Sequence, residues 1–399
     1  MRILFLSPRQ CWPSHSGAKL REYHFLKALA QRAEVTYAHF TDPDSAPLTQ
    51  AELPFCRAVV AIPKPPAYGP LRTLQGVLGR WPLTILNYGS PEMTAAINRL
   101  IAETQFDLIH LDIIHVMRYG EQLARSTKSK IVYNWHNIES EAMQRYSETV
   151  ASPAKRWYAR QTAAKLRARE DDILRDAIGH VVCSQRECDQ LQRIAPKARI
   201  EVVPNGVEMK YFANAGAGSE AGRDLVFIGS MAYYPNAEAA VFFSHNIWPA
   251  IRERMPQLRL MIVGANPGPD VVALGALPGV TVTGTVPDVR PYYGQALASI
   301  VPLRTGSGTR LKILEAMAAG VPVISTPLGA EGLNVTPGTD ILIAGADDPQ
   351  AWIRQLEGLP AQRQSLVAAG LNLVRTHYDW EALGTKLWNT YHGWFVSEQ

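Results

Sequence analysis

Arg310, Lys312 and Glu315 lie within two helical turns of one another, directly after the glycine-rich run Gly306-Ser307-Gly308-Thr309. Residues 299–303 read as a strand, a loop follows, and a helix starts near Thr309 and stops at Gly320, with a further strand from Val321. Two cations in a first helical turn oppose the macrodipole, which favours negative charge at that end. A bound anion resolves the conflict, because unpaired backbone N–H groups at 306–309 and both side chains would converge on it, and a phosphate fits. The bland alternative has both side chains turned into solvent. Glu315 stands among Leu314, Ala316, Met317, Ala318 and Ala319, which places it in a buried face. A buried carboxylate needs donors, and sugar hydroxyls are good ones. The bland alternative here is an ion pair with Lys312, three residues earlier on the same face.

Other candidates carry less. Asp42-Pro43-Asp44 has the D-x-D spacing of a metal motif but follows a strand in what reads as a turn. Gly306-Ser307-Gly308 after a strand suggests a dinucleotide fingerprint, yet the third glycine would fall at Leu311, which argues against a dehydrogenase. His110 and His115 lack helical metal spacing. Cys11, Cys56, Cys183 and Cys188 form no C-x-x-C pair, so they read as buried thiols.

The elements that must position these groups alternate. Strands are expected at 2–6, 35–39, 58–62, 106–111, 130–134, 178–183 and 200–203, then at 225–229, 259–263, 280–284, 299–303, 321–325 and 340–344. Helical patterns fall at 18–32, 91–104, 139–176, 185–194, 236–255, 288–297, 310–319 and 349–358. Such alternation implies parallel sheets covered on both faces, and thirteen strands imply two of them. The break follows Val202-Val203-Pro204-Asn205-Gly206, and Ala213–Ser219 reads as a linker. The 399 residues, 47% hydrophobic and 19% charged, suit two globular domains and exclude a disordered chain. No apolar run is long enough to span a membrane, and the opening reads as a first strand rather than a secretory signal, so a cytoplasmic location is expected. Residues 1–200 hold 27 Lys and Arg against 19 Asp and Glu, whereas residues 201–399 hold 13 against 17. The basic half suits an anionic partner. Segment 152–176, with Lys155, Arg156, Arg160, Lys165, Arg167, Arg169 and Arg175 interleaved by Trp157, Tyr158 and Leu166, reads as a basic helix. It is a solvated face or a peripheral membrane contact. No nucleic-acid motif accompanies the charge.

The run Gly306–Thr326 resembles the nucleotide-sugar site of glycosyltransferase family 4, the retaining group with the GT-B fold. Further matches occur in order: Ser16-Gly17-Ala18 with Arg21, Tyr133-Asn134-Trp135-His136-Asn137-Ile138-Glu139, Val203–Val207, Phe227-Ile228-Gly229-Ser230-Met231, Gly284–Val289 and Tyr378-Asp379-Trp380-Glu381. The resemblance covers essentially the whole chain. It implies two doubly wound α/β Rossmann-like domains facing each other across a cleft. An acceptor-side domain would span 1–205, a nucleotide-sugar domain 206–379, and a final helix 380–399 would pack back on the first.

By that resemblance Glu315 would accept from the ribose, and Arg310 and Lys312 would contact the diphosphate with the main chain of 306–309 and Leu311. Gly229 and Ser230 would line the same site, Thr285 and Val286 would hold the base, Gly17 would let the first loop approach closely, and His136 would reach the donor sugar. The implied partners are a UDP- or GDP-linked sugar and a glycan, lipid-linked or small-molecule acceptor, with no cofactor and no metal. Two departures stand out. Many members carry a glutamate eight residues before the position of Glu315, where this chain has Ser307. Many also carry an Arg and a Lys soon after the second-domain glycine, where this chain has 230–236 without either. Arg310 and Lys312 are the candidate replacements. The expected activity is retaining, metal-independent sugar transfer in bacterial polysaccharide or glycoconjugate synthesis. A sugar-nucleotide 2-epimerase or hydrolase, or a non-catalytic nucleotide-sugar binder, are the alternatives on this scaffold.

Overall fold

The computed structural model describes residues 1–14, 16–217, 222–306 and 308–397. Contacts divide it into two compact units, Met1–Pro204 with Leu383–Gln399, and Asn205–Ala382. The first unit holds seven parallel strands: β1 (Arg2–Ser7), β2 (Glu34–Thr41), β3 (Ala58–Pro63), β4 (Leu108–Asp112), β5 (Lys130–Asn134), β6 (Gly179–Val182) and β7 (Ile200–Val202), in the spatial order β3-β2-β1-β4-β5-β6-β7. The second holds six: β8 (Asp224–Ile228), β9 (Arg259–Val263), β10 (Val280–Val282), β11 (Ala296–Val301), β12 (Val323–Ser325) and β13 (Leu342–Ile343), in the order β10-β9-β8-β11-β12-β13.

Central strands such as β1 and β8 are buried along nearly their whole length, which is why they are apolar runs without polar alternation, and β4 is buried throughout although it carries His110 and Asp112. In each sheet the chain reverses its direction of winding beside the central strand, between β1 and β4 and between β8 and β11. Open α/β sheets bind ligands at such points, beyond the carboxyl ends of the strands. Loops after β1, β4, β8 and β11 therefore position whatever chemistry each unit has.

Prolines account for most differences from the expected elements. The pattern at 139–176 is two helices, Glu139–Thr149 and Pro153–Asp176. Ser152 caps the second and Pro153 opens it, a position where the missing N–H costs nothing. The pattern at 236–255 likewise divides into Tyr234–Asn246 and Trp248–Arg254, with Pro249 in the first turn of the second. Strand β11 stops before Pro302, and β12 starts after Pro322. The pattern at 288–297 reduces to helix Arg290–Tyr293, because Ala296 already opens β11. The reverse happens once: helix Pro349–His377 continues through Pro360, far beyond residue 358. Its stripe Trp352, Ile353, Leu356, Leu359, Leu366 and Val374 is buried. At about 1.5–3 kcal/mol for each large apolar side chain, that stripe outweighs the roughly 3 kcal/mol an interior proline costs. Helices Pro70–Leu78, Leu83–Leu86 and Met117–Ser126 are additional to those expected. The expected linker at 213–219 is also corrected for its described part. Gly216 N donates to Ala319 O at 2.8 Å, so this stretch packs into the second unit, and the units divide after Pro204, within the break expected at 202–206.

Candidate active site

In the second unit, β11 leads through Pro302–Arg310 into helix Leu311–Ala318. The helix begins at Leu311 rather than Thr309, because Arg310 has φ −85° and ψ 65° and stands outside it. No side chain caps this helix and no acid lies in its first turn. Gly306 has φ +104°, and a Cβ on it would meet the Pro235 ring at 2.9 Å, so glycine is what lets the loop lie on the segment after β8. Asn205 Nδ2 donates to Thr309 Oγ1 at 3.0 Å, pinning the loop's far end. Gly308 has open space about it, and Leu311 packs partly against the core. Ser307 lies outside the described residues.

Arg310 is held by the loop itself. Its side chain is buried, and Nη2 donates to Gly306 O at 3.0 Å and to Leu328 O at 3.4 Å. The guanidinium thus braces the loop from within. Five donors in a rigid fork suit that bracing, since they satisfy carbonyls that a turn leaves over.

Lys312 is half-buried on the other side of the loop. Its Nζ donates to Asn236 Oδ1 at 2.5 Å, lies 4.7 Å from the Phe227 ring centre, and would stand 3.1 Å from a Cβ on Gly229. Gly229 follows β8 directly, so the bare glycine leaves the room that the ammonium uses. Asn236 Nδ2 in turn donates to Ser230 O at 2.8 Å. Lys312 and Glu315 make no direct ion pair, but they feel each other. Burial, and repulsion from Arg310, bring the Lys312 ammonium down to about 7. Burial, partly offset by Lys312, pushes the Glu315 carboxyl up to about 6. The Tyr293 hydroxyl near Glu315 is buried with no partner among the described residues. The result is a half-buried cation and a half-buried acid, one turn apart, at the winding reversal of this sheet. Thr285 and Val286 follow β10, Thr285 exposed and Val286 packed partly against the core. The carbonyl of Gly284 just before them accepts from Gly264 N at 3.2 Å.

In the first unit the corresponding reversal holds a polar network. Asp112 ends β4 and Asn134 ends β5. Asp112 Oδ1 accepts from Asn134 Nδ2 at 2.6 Å and pairs with His136 Nε2 at 3.0 Å. Glu22, on helix Gly17–Ala30, accepts from Ser7 Oγ at 2.9 Å and lies 3.1 Å from Arg9 Nε. That helix starts at Gly17 after the Ser16 cap. Arg21 donates to Asn134 Oδ1 and to Val203 O at 2.7 Å, which fixes the amide's orientation. Burial and the neighbouring Asp112 charge push Glu22 well above the usual carboxylate range. Asp112 is fully buried too, yet His136 and its other donors hold it well below that range. Burial lowers His136 despite Asp112, so its imidazole is neutral at pH 7. Glu139 is driven up to about 7 by burial and by Glu170.

Ligand atoms of Glu22, Asp112 and His136 lie within 4.8 Å of one another. Arg9 already places a positive charge against Glu22 there. The sequence reading contained His136 and Arg21 but missed Arg9, Glu22 and Asp112. Their signals were thin: a Ser-Pro-Arg end to β1, one acid in an apolar helix face, and an aspartate closing an apolar strand. Asp42 pairs with Lys64 at 3.4 Å, in the turn after β2.

Residues 16–211 match the family described as Glycosyltransferase Family 4, and residues 222–361 match the one described as Glycosyl transferases group 1. The chain belongs to glycosyltransferase family 4. Among curated relatives of this glycosyltransferase is the GDP-mannose-dependent monoacylated alpha-(1-6)-phosphatidylinositol monomannoside mannosyltransferase of Corynebacterium glutamicum. It is 36% identical over 84 residues, 21% of this chain and 22% of that protein. The phosphatidyl-myo-inositol mannosyltransferase of Mycobacterium leprae is 22% identical over 312 residues, 76% and 77% of the two chains. In structure the glycosyltransferase is similar to the sucrose-phosphate synthase of Thermosynechococcus elongatus, with TM-score 0.71, 21% identity and full coverage of both chains. Both units have the Rossmann-like sheets of the GT-B fold.

Proposed function

We propose that this glycosyltransferase moves a sugar, with retention at the anomeric carbon, from a nucleoside diphosphate to a hydroxyl on a lipid-linked or glycan acceptor. Two relatives are mannosyltransferases by name and one is GDP-mannose-dependent, so GDP-mannose is the first donor to test and UDP-linked sugars the second. The observation that carries the reading is the Lys312 ammonium held in the gap at Gly229, beside an uncapped helix start at the winding reversal of the second unit. Departure of a nucleoside diphosphate builds charge on its phosphate oxygens. A preplaced cation and helix N–H groups lower that barrier, at about 3–4 kcal/mol for one well-aimed donor. Arg310 acts through the loop it braces. Glu315 accepts from ribose hydroxyls, and the main chain at Thr285 and Val286 holds the base.

In the first unit, neutral His136, oriented by Asp112, serves the transferred sugar, and Gly17 lets the first loop come close. We also place the enzyme on the cytoplasmic face of a membrane, with the basic segment 152–176 at the lipid surface; no helix among the described residues is long and apolar enough to cross one.

The test is a thermal-shift panel of GDP, UDP and their sugars, followed by transfer of labelled mannose from GDP-mannose into a bacterial lipid extract. GDP-mannose should raise Tm most, since ligand binding stabilises by mass action. Label appearing only as free sugar would overturn the transfer reading. Lys312→Met should weaken nucleotide binding tenfold or more, whereas Asp112→Asn should lower turnover and leave nucleotide binding intact.

A further inference from the structure

Helix Pro70–Leu78 is unlike the others in what it shows to solvent. Leu71, Leu74 and Leu78 recur at i, i+3 and i+7, on one narrow stripe, and are 68%, 55% and 76% exposed. Tyr68, just before the helix, is 74% exposed. The opposite side is anchored: Gly76 is buried, and a Cβ there would meet Leu83 at 2.9 Å. The stripe is thus held outward by packing on the far face. Scattered exposed leucines are ordinary, but four large apolar side chains on two turns of one helix and its entry form a patch.

Its surroundings are basic. From residue 53 to 91 the chain has no Asp or Glu, and holds Arg57, Lys64, Arg72 and Arg80. From 149 to 169 it again has no acid, and six basic residues. The two stretches touch, because Lys165 Nζ donates to Gly76 O at 2.8 Å and Val77 O at 2.7 Å, tying helix Pro153–Asp176 to the end of the leucine helix. Trp81, just past that helix, has the guanidinium carbons of Arg80, Arg118 and Arg169 at 5.2, 5.6 and 5.2 Å from its ring centre. The outer face of helix Pro153–Asp176 presents exposed Lys155, Trp157, Arg160 and Arg167.

An apolar stripe beside two basic stretches is the combination that seats a helix at the boundary of headgroups and acyl chains; Arg169 is balanced by Asp172 at 2.9 Å, which leaves Arg80, Arg160 and Arg167 as the cations of that surface. We propose that helix Pro70–Leu78 is the membrane-docking element of this enzyme: Tyr68, Leu71, Leu74 and Leu78 enter an anionic bilayer surface while Arg80, Arg160 and Arg167 meet its phosphates. The proposal deepens the acceptor side of the function above, and it moves the apolar contact from segment 152–176, which becomes the electrostatic flank, to 68–78.

Flotation with liposomes tests it. The full chain should float with phosphatidylcholine vesicles containing about a third phosphatidylglycerol, bind pure phosphatidylcholine at least tenfold less, and lose binding as salt rises. The triple variant Leu71→Glu, Leu74→Glu, Leu78→Glu should reduce flotation tenfold or more, with its Tm and its GDP-induced shift unchanged. The pair Arg160→Glu, Arg167→Glu should reduce flotation chiefly at low salt. No flotation of the native chain at low salt, or flotation undiminished in the triple variant, overturns the proposal. So does a dimer in light scattering that the triple variant dissolves while vesicles go unbound, which would make the stripe a contact between copies. The GDP shift reads the donor site alone, so failure of the docking surface and failure of the transferase reading are separable.

Discussion

Two side chains in the second unit are held out of their ordinary protonation range, and each makes a prediction. Glu315, pushed up to about 6, binds its proton more tightly in the folded than in the unfolded chain. Such an acid costs stability as pH rises through the window from about 4.5 to 6, and the cost is complete above it. Glu315→Gln should therefore raise Tm of the unliganded enzyme at pH 8, with the gain vanishing below about pH 4.5, while GDP affinity falls about tenfold for loss of a charged acceptor. Scanning calorimetry against pH together with titration of GDP checks both halves. Lys312, brought down to about 7, is the mirror case. Its folded value lies below its unfolded one, so it costs nothing above about pH 10.5, and the cost grows as pH falls toward 7. A bound diphosphate favours the ammonium and raises the value again. Binding of GDP at pH 8 should therefore take up a proton, seen as a dependence of calorimetric heat on the buffer's ionisation enthalpy. Lys312→Met should abolish that uptake.

At the scale of elements, two glycines distinguish a functional gap from a structural one. A Cβ on Gly229 would meet only the ends of flexible side chains, Asn236 Nδ2 at 2.8 Å and Lys312 Nζ at 3.1 Å. Gly229→Ala should thus leave Tm nearly unchanged and weaken GDP binding tenfold or more by displacing the ammonium. Gly306 combines φ +104° with the Pro235 ring beneath it. Gly306→Ala should destabilise the unit by about 1–3 kcal/mol, measured by urea unfolding, because backbone and contact are both strained. Helix Leu311–Ala318 and strand β8 are readable as elements from their apolar runs. That Lys312 returns over Phe227 to Gly229 is a property of their pairing in space.

For the whole molecule, each sheet concentrates its polar chemistry beside its own central strand, and the two concentrations differ in kind. The second unit offers a cation and an uncapped helix start. The first offers a buried network in which burial and Asp112 push Glu22 above the usual carboxylate range, its donors hold Asp112 below that range, and burial lowers His136. Arg9 supplies the positive charge there, so activity should persist in excess EDTA. Abolition of activity by the chelator, restored by a divalent cation, would instead point to a metal on Glu22, Asp112 and His136 or at Asp42.

The strand-and-helix alternation, the two sheets and the sugar-nucleotide segment at 306–320 were legible in the sequence, because apolar periodicity and glycine, proline and capping signals act over a few residues. What the tertiary structure decided lies at longer range. It set Arg310 against the carbonyls of Gly306 and Leu328, and it brought Lys312 onto Asn236 and the Phe227 ring. It joined Glu22, Asp112 and His136 from three separate segments, which no local spacing connects. It carried helix Pro349–His377 through Pro360, because burial of one long stripe exceeded the cost of one broken backbone bond. And it left three leucines of helix Pro70–Leu78 facing water, because the packing of Gly76 against Leu83 determined which face pointed in.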